Sequence, residues 1–146
     1  MRGARRYLLL AAVLAAAASC QTLGGTGASG ADLAASRTAL SEARGRMDRA
    51  AQSSDVQGVS KAMKEIGQEF NAIESRASSM NLMDSQTMKL QIATGRNTIT
   101  ATDPWVQNND ADAVRSQVAQ LDPILDEIDG LLDRAVKSSA TAPETQ

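Results

Sequence analysis

Histidine is absent from this chain, cysteine occurs once, and Tyr7, Phe70 and Trp105 are its only aromatic residues. Without an imidazole there is no His-based general acid or base, no Ser–His or Cys–His nucleophile pair and no ordinary zinc site. A lone cysteine rules out an internal disulfide. Three aromatics, one of them at position 7, are too few for a base-stacking platform. A basic surplus is missing as well: Arg2, Arg5 and Arg6 precede Cys20, and the remainder carries twelve basic against seventeen acidic residues, a net charge of about −5. Nucleic-acid binding needs the opposite sign. These absences predict a protein that is not an enzyme, holds no cofactor and does not bind nucleic acid.

Long apolar runs are nearly absent too. The single one, Leu8 to Ala18, is shorter than the roughly 20 residues a membrane-spanning helix requires. It follows a basic stretch and ends in Ala17-Ala18-Ser19 before Cys20, which is the layout of a cleaved signal peptide over residues 1–19. Small residues leading into a cysteine resemble the lipobox of bacterial lipoproteins. That resemblance implies that Cys20 takes a diacylglyceryl group and further acylation, such as palmitate, and becomes the first residue of the mature chain. Gln21, which is not the Asp associated with inner-membrane retention, implies a periplasm-facing outer-membrane anchor. Several acyl chains make such anchoring effectively permanent. Ala16-Ala17-Ala18 also offers the small-x-small pattern of conventional signal peptidase, so a soluble periplasmic protein is the alternative.

Residues 20–30 are expected to form the lipidated cysteine and a flexible tether, since Gly, Ser and Thr dominate them and cannot bury enough surface to order themselves. Residues 138–146 are expected to be a disordered polar tail. Between them, residues 31–137 carry four apolar stripes at helical spacing. Val56, Val59, Met63, Ile66, Phe70, Ile73, Ala77 and Met80 alternate steps of three and four, as do Val114, Val118, Leu121, Leu125, Ile128, Leu132 and Ala135. Leu33, Leu40, Ala43, Met47 and Ala50 form a thinner, alanine-rich seam, and Met88, Ile92, Gly95, Ile99 and Thr102 a fourth. The pattern predicts an all-α, up-down-up-down four-helix bundle.

Ser54 with Gln57 predicts a capping box for the second helix, and Asn109 the cap of the last. Asp103-Pro104 predicts a turn that ends the third helix, whereas Pro123 falls inside the fourth, whose stripe continues beyond it with a bend. A shift of 55 residues superposes Gln52, Asp55, Val59 and Ile73 on Gln107, Asp110, Val114 and Ile128, as two helical hairpins in one register would.

In helix number, length and periplasmic setting, residues 31–137 resemble the periplasmic b-type cytochromes. That family ligates haem through an early methionine and a late histidine. Here the early first helix offers Ser36 and Arg37 and the chain has no histidine, so haem binding by that mechanism is excluded, and the covalent haem motif of two cysteines and a histidine is absent as well. Size, anchor and helicity also resemble pilotins, the lipoproteins that dock a partner helix and escort secretins. The expectation is therefore a lipid-anchored interaction or structural module with a protein partner. Trp105, and a groove beside helix one lined by Leu33, Leu40 and Met47, are the candidate contacts. The alternative is a small-ligand or metal carrier, with Met80, Met83 and Met88 as soft thioether ligands, although the same methionines read as gap-filling core. Asp122, Asp126, Glu127, Asp129 and Asp133 face Arg37, Arg44, Arg46 and Arg49 in the expectation of a solvated face or of pairing between neighbouring helices.

Overall fold

The computed structural model describes residues 29–141. The signal segment 1–19, Cys20, the tether as far as residue 28 and the tail from residue 142 lie outside the described residues. Four α-helices, α1 (Gly30–Gln52), α2 (Val56–Arg76), α3 (Leu82–Gln107) and α4 (Ala111–Thr141), follow one another, with a 3₁₀ turn at Ala77–Ser79. Each helix packs on its sequence neighbours and α1 closes the ring against α4; α2 meets α4 lightly across one diagonal, and the α1 and α3 backbones stay more than 8 Å apart across the other. This is the expected antiparallel four-helix bundle. None of the described helices is long and apolar enough to cross a membrane.

The apolar stripes form the core. Met63, Ile66, Phe70 and Ile73 of α2 and Leu121, Leu125, Ile128 and Leu132 of α4 are buried in one cluster, with Met47 of α1 and Met88 and Ile92 of α3. Leu131 and Ala62, which the stripes omitted, are buried as well. Gly95 serves packing: a Cβ there would lie 2.7 Å from the Phe70 ring, so its absence lets the ring sit against the α3 backbone.

Several boundaries differ from the sequence reading. Ser29 caps α1 in a reciprocal box, its hydroxyl accepting from the Asp32 amide while the Asp32 carboxylate accepts from the Ser29 amide, so helix begins inside the expected tether. The α2 stripe stops at the 3₁₀ turn, leaving Met80 in extended backbone against the core. α3 runs through Asp103-Pro104 to Gln107, and the Pro104 carbonyl still accepts from the Asn108 amide. Proline removes one donor near the helix end but blocks nothing downstream of itself. α4 passes through Pro123 and continues to Thr141, so residues 138–141 are helical rather than tail.

The two caps expected at Ser54 and Asn109 fall one residue later. Ser54 and Asn109 adopt left-handed backbone, with φ of 57° and 52°. Each ends the preceding helix: the Ser54 and Asp55 amides donate to Ala51 and Ala50 carbonyls, and the Asn109 and Asp110 amides to Val106 and Trp105 carbonyls. This is the Schellman pattern. Asp55 and Asp110 then cap the following helices by accepting from the amides of Gly58 and Ala113 at 2.9 and 3.0 Å. The 55-residue repeat therefore corresponds to one turn device used twice.

Candidate functional site

The charged residues of α1 and α4 meet along one seam. Arg37 forks onto Asp129 with bonds of 2.7 and 2.9 Å and reaches Asp133 at 2.7 Å. One helical repeat further along, Arg44 pairs with Asp122 and Asp126. The expected pairing between neighbouring helices is thus present, though Arg46 turns to Glu65 of α2 instead. Arg96–Glu74 joins α3 to α2, and Arg134–Asp84 joins α4 to α3, so every interface around the ring carries an ion pair. Exposed pairs contribute little stability, but forked geometry favours one register over its neighbours.

These contacts set the titration behaviour. The hydrogen bond to Asp129 holds the Arg37 guanidinium above its ordinary range. Asp133 is held below its usual value, chiefly by the hydrogen bond from Lys137. Asp48 moves the other way, raised by burial and then by the nearby Asp122. A groove of about 490 Å³ runs along the seam, walled by Arg37, Arg44 and Asp129 with Leu40 and Leu125 at its floor. Glu42 lies on its wall as well, and the Asp129 carboxylate is already engaged by Arg37, which suits holding two helices together.

The residues singled out as contacts do not gather. Leu33 and Met47 are 1% and 0% exposed and belong to the core, whereas Leu40, 3% exposed, reaches the floor of the α1–α4 groove, so the three do not together line one open groove as expected. The alanine-rich seam of α1 brings both neighbouring helices close enough to cover them. Met80 is half-buried at the turn, Met83 is 72% exposed and Met88 is fully buried. Five residues apart on one helix, Met83 and Met88 point about 140° away from each other, so the three thioethers do not converge on one point. Among the described residues no group of three or more His, Cys, Asp or Glu side chains is arranged to hold a metal. Trp105 lies within α3 rather than in a loop, and its carbonyl closes the turn into α4.

A different surface emerges. The large apolar side chains exposed among the described residues are Leu82, Met83, Leu90 and Trp105, all on α3. At about 100° per residue, Met83, Leu90, Thr94, Asn97, Ala101 and Trp105 form one outward stripe without a charge, and all six are exposed. The charges of α3 fall to its flanks, where Asp84 and Arg96 are engaged by neighbouring helices. The signal for this face was present in the sequence, because Leu90 lies two residues off the Met88–Ile92 stripe and so points away from the core. Compared with protein-family models, with curated proteins and with solved structures, the chain matches none.

Proposed function

We propose that this protein is a lipid-anchored, non-enzymatic interaction or structural module of the bacterial outer membrane, facing the periplasm, and that its protein partner docks on the outward face of α3. The observation that carries the reading is the concentration of exposed Leu82, Met83, Leu90 and Trp105 on a single helix with a charge-free stripe. Such a face costs solubility unless something uses it. Trp105 at 39% exposure combines a buried edge with a free one, as contact anchors do. With Leu33, Leu40 and Met47 nearly covered, the exposed face of α3 rather than the charged α1–α4 groove is the docking surface.

Two measurements test the two halves of the proposal. Intact mass of the mature chain is expected to show an acylated species beginning at Cys20, lost in Cys20→Ser; an unacylated chain beginning elsewhere removes the anchor. A photo-crosslinking residue placed at Leu90 in intact cells is expected to give one dominant protein adduct, which disappears when Trp105→Ala is added. Adducts that are diffuse, or insensitive to Trp105→Ala in a variant with unchanged urea midpoint, remove the docking face.

A further inference from the structure

The two ends of the bundle differ in chemistry. At one end lie the start of α1, the turn from α2 to α3 and the close of α4. Gly30 sits against Ser139, and Ser79, Met80, Asn81 and Asp84 share a small cleft with Ala135, Ser138 and Ser139. The segments forming this end, residues 29–31, 77–83 and 138–141, contain no charged residue. The charges bordering these segments are engaged: Asp32 by Ser29, Asp84 by Asn81 and Arg134, Arg76 by Ser36, and the exposed Lys137 by Asp133. Leu82 and Met83 stand out from this end at 73% and 72% exposure. The opposite end presents Asp55, Asp103, Asp110 and Asp112 in or beside its turns, with Arg49 and Arg115 among them.

The chain enters at the end bearing Leu82 and Met83. Eight residues separate Cys20 from Ser29, a span of at most about 30 Å even when fully extended. We infer that the bundle stands on the lipid surface by this end, with Leu82 and Met83 seated among the headgroups and the acidic end directed away. This inference rests on the lipid anchor at Cys20. The contact of two side chains is weak alone, but the anchor makes it intramolecular and so raises its occupancy. The short tether fixes the polarity, because it holds the end bearing Ser29 near the lipid while α1, of 23 residues, carries the opposite end roughly 34 Å further away. Standing also keeps Trp105 about 33 Å from Met83 along α3, leaving the upper part of that helix open to the partner.

The test uses the mature acylated chain in vesicles of phosphatidylethanolamine and phosphatidylglycerol. Acylated Cys20 leaves an introduced cysteine as the sole thiol, so an environment-sensitive fluorophore is attached at Met83→Cys or, in a second preparation, at Ala101→Cys. The expected result is a blue shift with a rise in intensity at position 83 and none at position 101, with no shift at either in the Cys20→Ser chain. If the acylated chain floats with the vesicles and neither label shifts, the standing contact is overturned while the anchor stands. Shifts at both positions mean that the bundle lies on α3 and equally overturn it. A shift at 83 that grows with protein-to-lipid ratio assigns the end to a second copy, and one seen only in native membranes assigns it to another protein; either outcome rejects lipid as the occupant. Failure of the acylated chain to float at all removes the anchor, and the inference with it.

Discussion

Gly95 and Gly67 occupy helix interiors for different reasons. A Cβ at Gly95 would meet two Phe70 ring atoms at 2.7 and 2.9 Å, and that ring is fully buried. Gly67 has nothing within 4 Å. Overpacking a core costs roughly 1–3 kcal/mol, whereas replacing an interior glycine by alanine returns about 0.5–1 kcal/mol in a helix. Gly95→Ala is therefore expected to lower the urea-derived stability by up to about 2 kcal/mol, and Gly67→Ala to raise it by about 0.5–1 kcal/mol. Equal effects of one sign would contradict the close approach of Phe70 to α3. The sequence shows both glycines inside periodic segments, and Gly95 even falls on an apolar stripe. What it lacks is the position of Phe70, 25 residues away, which only packing supplies.

At the scale of the element, the clearest lesson lies in Ser53-Ser54-Asp55 and Asn108-Asn109-Asp110. All six residues are good helix cappers, so local preference does not choose among them. The choice follows from the backbone path: Ser54 and Asn109 take the left-handed position that closes the helix before, and the aspartates cap the helix after. Asp55→Ala is expected to cost about 1 kcal/mol, and Gln57→Ala almost nothing, as measured by thermal or urea unfolding. A large loss on Gln57→Ala would restore the Ser54–Gln57 box. The helices themselves were legible because a stripe repeating every three or four residues is a property of one element alone. The end of α3 was less so: Asp103-Pro104 has the composition of a turn, yet the helix carries on because proline's lost donor faces backward and its own carbonyl remains usable.

For the whole molecule, acid stability reports on the seams between helices. Asp32 and Asp133 have native pKa values below their ordinary ones, the first through its bonds to Ser29 and the second through Lys137. A depressed carboxylate contributes stability that is present above its unfolded pKa of about 3.9 and is lost as pH falls through the lower native value. Asp48, raised by burial, works in the opposite sense: its ionised form opposes folding, and protonation relieves it as pH falls. The urea midpoint is expected to drop between about pH 4 and pH 2, less steeply in Asp133→Asn, while Asp48→Asn raises the midpoint at pH 7 and not at the acid end. A midpoint for Asp133→Asn as acid-sensitive as that of the parent chain would contradict the first of these. Spacing within the chain was enough to establish four amphipathic helices, an all-α bundle and a surplus of acid opposite a run of arginines, because each of these is local or compositional. It could not establish that Leu33, Leu40 and Met47 are covered, that Arg37 forks onto a carboxylate 92 residues away, or that Leu82 and Met83 stand out at one end and a charge-free α3 face remains. Those depend on which helices become neighbours and which termini meet, and burial belongs to the assembled ring, not to any one of its helices.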